Sequence, residues 1–249
     1  TGNRSYGSGG PAHVYGTSNT NNNGMMIYGR DNSSNYRTYI WGNYNTNSSE
    51  GWGYIYGSEN RLTRGGFTVG QNNTVTDGGF AYGVGSVITA GGFSFGSQNT
   101  LTGNGFAYGN LNSVNGTLGT AYAFGEDNTA SQYGIAIGRG NSSSNYGIAI
   151  GNNSVNTGYR SIAIGTSLTV SGNNTVGINI SGISKSVLDD NIMAILGGKA
   201  VTIFSGEIDE TLFTTIGQHV NISGSINVTD AGDYYRRGKK LYNYILDDV

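Results

Sequence analysis

The sequence predicts an all-β protein built as a β-solenoid, a rod of short stacked coils. A four-residue phrase, in which two bulky residues flank a small one and a glycine follows, recurs along the first two-thirds of the chain. Twelve such anchor glycines lie 13 to 16 residues apart. A unit this short buries its apolar side only by stacking on its neighbours. The anchors are Gly16, Gly29, Gly42, Gly57, Gly70, Gly83, Gly96, Gly109, Gly125, Gly138, Gly151 and Gly165.

The phrase itself predicts the first strand of each coil. The residues three and one positions before the glycine share one face, and the residue between them points to the other face. The first face is bulky, aromatic at Phe80 and Tyr82 but aliphatic at Ile135 and Ile137, while the other narrows to alanine, as at Ala81. We expect the alanine side to pack tightly against something close. Either the aromatics fill a wider core or they form an exposed sugar-binding stripe; one-face periodicity favours packing.

The second half of each coil begins with asparagine. It stands three residues after most anchor glycines, and because asparagine tolerates left-handed geometry, we expect a turn residue whose amides form a ladder along the rod. A second short strand follows, as at 74–76 and 100–102. The anchor glycine supplies a turn conformation that a Cβ would obstruct.

The segment from Tyr133 to Gly165, YGIAIGRGNSSSNYGIAIGNNSVNTGYRSIAIG, resembles the head repeats of YadA-like trimeric adhesins. The resemblance extends over about residues 12–182, with aromatics replacing isoleucine upstream. It implies a left-handed β-roll in which three chains pack side by side, and a non-enzymatic adhesive role. We therefore expect a lead-in at 1–11, a β-roll head of about 12 coils at 12–182, and a smaller β-rich trimeric region at 183–249.

The end of the chain bears on the source of such an adhesin. No neck motif, heptad stalk or anchor pattern of the bacterial trimeric autotransporters follows the repeats. The phrase GDYYRRGKKL at 232–241 instead resembles the segment of phage tail fibres and tailspikes just before a C-terminal chaperone that is cut off after trimerisation. A virion tail fibre is the favoured interpretation, and a bacterial surface adhesin is the alternative.

Composition agrees with a fibrous extracellular or virion protein. The 249 residues include 44 glycines, 1 proline and no cysteine, so disulfides and thiolate metal sites are excluded. The net charge of −2 argues against nucleic-acid binding, and the apolar runs are too short for membrane insertion. Because the core is thin and sheet edges need cover, we expect an obligate homotrimer. No cofactor or metal is expected.

Departures from the strict period mark candidate receptor-binding loops, because insertions in a solenoid lie on its outside. The interval from Gly42 to Gly57 has two extra residues, and that from Gly109 to Gly125 has three. An exposed aromatic there could stack on a sugar ring, although Trp52 could equally pack over its own coil. The predicted receptor for this surface is a cell-surface glycan or an outer-membrane protein, and the candidates are Tyr44, Glu50, Trp52, Asn115, Thr117 and Leu118.

The sequence argues against two further functions, glycan cleavage and ice binding. Carboxylates on neighbouring coils could approach the separation that glycan cleavage needs, as in some tailspikes, but no pair stands out, and solvated turn charges are the simpler interpretation. The two histidines, His13 and His219, are far apart in sequence. An ice-binding face would need threonine pairs in most coils, whereas only 74–76 and 100–102 supply them. We expect the protein not to be an enzyme.

Overall fold

A computed structural model describes residues 2–5, 13–23, 25–48 and 51–197, and the backbone of Tyr235–Arg236 and Lys239–Lys240. The chain divides into two compact units, Thr1–Val201 and Thr202–Val249. The first is a β-solenoid with two parallel sheets of 14 strands each, which confirms the predicted fold class. Within the second unit, Tyr235–Arg236 and Lys239–Lys240 pair antiparallel. The remaining β-structure expected after residue 197 lies outside the described residues.

The two sheets of the solenoid differ in strand length. The narrow sheet consists of Arg4–Ser5, Thr20–Asn21, Ser33–Ser34, Thr46–Asn47, Arg61–Leu62, Thr74–Val75, Val87–Ile88, Thr100–Leu101, Ser113–Asn115, Thr129–Ser131, Ser142–Ser143, Val155–Asn156, Leu168–Val170 and Lys185–Val187. The broad sheet consists of His13–Thr17, Met26–Arg30, Thr38–Asn43, Gly53–Ser58, Gly66–Gln71, Phe80–Val84, Phe93–Ser97, Gly105–Asn110, Ala121–Glu126, Ile135–Arg139, Ile148–Asn152, Ile162–Thr166, Val176–Asn179 and Met193–Leu196.

Coils stack in strict register. Each anchor glycine of the broad sheet lies directly over the next, as Gly70 over Gly83 and Gly83 over Gly96. The same register holds across the two insertions, where Gly42 pairs with Gly57 and Gly109 with Gly125. The extra residues therefore leave the sheets undisturbed and are accommodated in the connections.

The solenoid extends beyond the predicted head at 12–182. Arg4–Ser5 already belongs to the narrow sheet, and the broad sheet continues through Val176–Asn179 to Met193–Leu196. In this last part Asn179 stands in register with Gly165, where an anchor glycine is expected. The glycine and the 13-residue spacing are lost there, but alternating side chains still pair, so the coils continue where the sequence signal ends.

The interior between the sheets is narrow and is filled by complementary sizes. In the early coils the broad sheet contributes the large side chains Ile27 and Ile40. The narrow sheet of the same coils contributes the small or polar side chains Ser34 and Asn47. Further along, the sizes reverse. Ala81, Ser94 and Ala107 of the broad sheet are fully buried and lie in the same coils as Ile88, Leu101 and Val114 of the narrow sheet. The alanine side is thus tightly packed, as the sequence predicts.

The asparagine ladder also lies inside the rod. Asn60 is buried. Its Nδ2 donates to Asn45 Oδ1 at 3.2 Å and to the carbonyl oxygen of Gly70 at 2.8 Å. Its Oδ1 accepts from the backbone N of Asn73 at 3.0 Å. Ser86 interrupts the series, which resumes at Asn99. These bonds satisfy side-chain groups that burial would otherwise leave without water.

The prediction that asparagine itself is the left-handed turn residue is wrong. The residue one position earlier has the positive φ, for example Tyr44 at 58°, Asn72 at 56° and Leu111 at 57°. Turning the chain one residue before the asparagine points the amide into the interior, where it bonds neighbouring coils. In several coils the amide also bonds its own turn, since Asn128 Nδ2 donates to the carbonyl oxygen of Phe124 at 3.0 Å and Asn141 Nδ2 to that of Ile137 at 2.8 Å.

Candidate functional site

The bulky face of the phrase lies on the outer side of the broad sheet. Tyr56 is 60% exposed and Tyr108 is 59% exposed, while Phe80 on the same face is half-buried. The interpretation of these aromatics as core packing is therefore wrong for a single chain, whose interior is the alanine side. The physical reason is the size of the gap between the sheets, which admits one layer of small or medium side chains. The outer face continues as isoleucine toward Ile164.

The rings on this face stack on one another along the rod. Phe67 and Phe80 are parallel within 3°, with ring centres 4.7 Å apart, and Tyr39 and Tyr54 stack at 5.2 Å and 8°. Ring faces are thus turned toward neighbouring coils, and the rings present edges and hydroxyl groups outward. An open groove of about 840 Å³ runs along the column formed by Tyr82, Phe95 and Tyr108.

Each coil has two corners that connect its sheets. The first corner follows the broad strand and holds a left-handed residue such as Tyr44. The second corner follows the narrow strand, and in later coils it too has positive φ, as at Tyr133 and Tyr146. At the first corner, Tyr44 is exposed and its ring lies 5.4 Å from the guanidinium carbon of Arg30. Arg30 Nε also donates to Asp31 Oδ2 at 2.9 Å, and this hydrogen bond, with the charges of Tyr44 and Asp31, raises the pKa of Arg30.

Trp52 lies at a second corner, on the opposite edge of the same coil. Its side chain is 53% exposed, and the guanidinium carbon of Arg37, from the preceding coil, lies 5.6 Å from the ring centre. A backbone hydrogen bond holds the corners of Arg37 and Trp52 in register, since Gly53 N donates to the Arg37 carbonyl oxygen at 3.1 Å. Trp52 projects from the rod and does not fold into the interior of its own coil.

The second insertion forms a compact loop at another second corner. Thr117 Oγ1 donates to Asn115 Oδ1 at 2.9 Å, and the Thr117 backbone N donates to the same oxygen at 3.3 Å. Leu118 is 67% exposed at the tip. This loop lies five coils from Trp52, which corresponds to about 24 Å along the rod at ordinary strand spacing.

The predicted candidates therefore do not form one site. Tyr44 and Trp52 lie on opposite edges, and Asn115, Thr117 and Leu118 are several coils away. Glu50 lies outside the described residues.

A row of tyrosines at the second corners was missed from the sequence. Tyr133 and Tyr146 stack at 4.5 Å and 9°, and Tyr159 meets Tyr146 edge-on at 5.5 Å and 75°. Arg160 lies 5.0 Å from the Tyr159 ring. The sequence does contain a signal for this row, since a tyrosine stands near the same place before each IAIG phrase. These tyrosines lie outside the four-residue phrase that defines the repeat.

The carboxylates considered for glycan cleavage lie at the surface, in ion pairs with arginines. Asp77 pairs with Arg64 at 3.5 Å and Glu126 with Arg139 at 3.7 Å. In the described ranges, no three His, Cys, Asp or Glu side chains come together in a way that could hold a metal ion. On the narrow sheet, Thr74 and Thr100 are separated by Val87, so the threonine pairs do not adjoin.

Comparison with known proteins finds no matching family, no similar curated protein and no similar solved structure. In the part of the chain that the structure describes, no helix has the length and apolarity needed to cross a membrane. The β-solenoid assignment therefore stands on the repeat and the sheet register.

Proposed function

We propose that this protein is a trimeric attachment protein, the head of a virion tail fibre, that binds a cell-surface glycan or outer-membrane protein without catalysis. The observation that carries the proposal is the uncovered outer face of the broad sheet. Fourteen in-register strands give it a length on the order of 60 Å. Contiguous apolar patches of this extent are rare on soluble monomers and mark interaction surfaces.

The occupant of this face that we favour is another copy of the chain. Because the rings already stack on each other, their outward edges suit interdigitation with a second set of side chains better than stacking on sugars. The isoleucines that replace the rings toward Ile164 offer no stacking at all, yet continue the same columns. One role for the whole face is the simplest account, and three chains is the number implied by the resemblance to YadA-like heads.

With the broad sheets turned inward, the corners and the narrow sheets would face the surroundings. Three equivalent sites on one stiff rod raise the avidity for a repetitive cell surface without any new type of contact. The resemblance of residues 232–241 to tail-fibre sequences favours a virion over the alternative, a bacterial surface adhesin.

The test begins with the mass of the purified protein by light scattering. We expect three times the chain mass of 26.1 kDa. Ile150→Asp on the outer face of the broad sheet should give monomers, whereas Thr129→Asp on the narrow sheet should leave the trimer intact. A monomeric wild-type protein would contradict the assembly.

The labelled trimer is then offered to panels of bacterial strains, animal cells and matrix proteins. Binding to particular bacterial strains is the expected result. Binding to animal cells or matrix would favour the adhesin alternative, and binding to none of the three panels would contradict attachment.

A further inference from the structure

Trp52 differs from most of the exposed rings in what its indole contacts. Arg37 approaches the ring from the preceding coil at 5.6 Å, and elsewhere in the described ranges no aromatic ring stacks on it. Most rings on the outer face of the broad sheet and in the tyrosine row, by contrast, stack on other rings. Among the described residues Tyr44 and Tyr56 also lack a ring neighbour, but the arginine at Tyr44, Arg30, is already bonded to Asp31. An exposed indole without an aromatic neighbour has apolar surface available to a ligand.

The coil that follows Trp52 adds no side chain at the position that corresponds to the indole. Gly66 N donates to the Trp52 carbonyl oxygen at 3.0 Å, which places Gly65 in the position corresponding to Trp52. One coil further, Gly78 occupies the corner, and a Cβ there would meet nothing within 4 Å. The corner beyond the indole is therefore a bare backbone shelf, with the exposed Arg64 and Asp77 pair beside it.

The tyrosine row differs from the Trp52 corner in how neighbouring coils cover its rings. Tyr146 is as exposed as Trp52, at 50% against 53%, and stands at the same kind of corner. Its ring is stacked on Tyr133, and Tyr159 approaches it edge-on, so successive coils cover it. The stacked tyrosines stabilise their own corners. Trp52 instead has the cation of Arg37 in the preceding coil and only glycines at the corresponding positions of the two coils that follow.

We propose that Trp52 and Arg37 form a saccharide-binding platform. The apolar face of a pyranose ring stacks on the indole over the glycine shelf, and its hydroxyl groups bond Arg37, Arg64 and Asp77. Arg37 has no carboxylate partner among the described residues, so its donors are available. The inference rests on the proposed attachment function and names its ligand class and its site.

The test uses the full-length protein and cells to which the wild type attaches. Mild periodate, which cleaves vicinal diols of sugars, is applied to the cells, and the variants Trp52→Ala, Trp52→Phe and Tyr146→Ala are titrated on untreated cells. We expect periodate to abolish binding and Trp52→Ala to weaken it by about tenfold or more, because the loss at each site multiplies in a multivalent complex. Trp52→Phe should retain most of the binding, and Tyr146→Ala should equal the wild type.

Three outcomes would overturn the platform while leaving attachment intact. These are wild-type affinity in Trp52→Ala, binding that survives periodate, and a loss in Tyr146→Ala as large as that in Trp52→Ala. Failure of the wild type to attach to any cell would instead contradict the proposed function itself. Circular dichroism of each variant confirms that the solenoid is retained. A direct titration with the released surface polysaccharide is followed by indole emission in the wild type and in Trp52→Phe, and a change that is lost in Trp52→Phe reports contact at Trp52, not at the second tryptophan, Trp41, independently of cell binding.

Discussion

Single residues set the geometry of each coil, and the anchor glycines show this most clearly. Gly83 has a φ of 132°, and a Cβ built on it would overlap the carbonyl oxygen of Gly96 in the next coil. Conformation and close approach therefore both require glycine here. Gly78 also has a positive φ, at 72°, but its surroundings are open.

We predict that Gly83→Ala lowers the free energy of unfolding by about 4 kcal/mol or more, since backbone of the adjoining coil has to move. Gly78→Asn is the matched control, because asparagine tolerates left-handed geometry, and it should change stability by less than about 1 kcal/mol. Thermal unfolding followed by circular dichroism compares them. Equal midpoints would contradict the steric explanation.

The buried amides predict a second effect at this scale. Asn60→Ala removes the acceptor of the Asn73 backbone N–H and side-chain amide, which bond it at 3.0 and 3.1 Å. Leaving buried donors unpaired costs about 1–3 kcal/mol each, so we expect a loss of about 3 kcal/mol. Hydrogen exchange of the Asn73 amide should accelerate. Exposed Asn152→Ala serves as control, and an equally small effect of both changes would show that the ladder contributes little.

At the scale of the element, one strand of the broad sheet separates two functions between its faces. Along Phe80–Val84, Phe80 points outward into the ring column and Ala81 points into the interior. The inward face holds the coil together, and the outward face is available for assembly. Their sizes are opposite to those of an ordinary half-buried strand because the interior is thin and the larger apolar surface lies outside.

Neighbouring substitutions should therefore fail in different ways. We predict that Phe80→Ala keeps the β-sheet spectrum of the chain but weakens its association, seen as a shift toward monomer on dilution in light scattering. Ala81→Leu should overpack the interior and destabilise the coil itself by about 1–3 kcal/mol or more. Loss of folded chain in Phe80→Ala, or an unperturbed Ala81→Leu, would run against this division.

On the scale of the whole solenoid, the register makes coils interchangeable. Residues 84–96 span one repeat from Gly83 to Gly96, and removing them would place Asn99 directly on Asn73, closing the gap in the ladder at Ser86. Stability in such arrays is approximately a sum of repeat and nearest-neighbour terms.

We predict that deleting 84–96 leaves a folded rod whose melting temperature stays close to that of the parent protein. Deleting 84–90 instead removes the narrow strand Val87–Ile88 but keeps the broad strand that follows, so stacking is broken and the melting temperature should fall sharply. Comparable melting curves for the two deletions would argue against coil-by-coil modularity.

Much of the fold could be predicted because it is local and repeated. The anchor glycines, the alternation around Ala81 and the short strands such as Thr74–Val75 each reappear in the structure where the spacing placed them. The candidate site could not be predicted as well. Tyr44 and Trp52 are eight residues apart in sequence but on opposite edges of the coil, and Arg37 reaches Trp52 only because coils stack.

The sequence by itself determined the repeat, the two strands per coil and the glycine at each anchor, since these follow from backbone geometry and a period shorter than a domain. Only the tertiary structure decided which side of the phrase is inside. Both faces of the strand are apolar, so periodicity cannot choose between them, and the choice depends on the distance between two sheets. That distance admits Ala81 and the amide of Asn60 but not Phe80, and it leaves the aromatic columns on the outside of the chain.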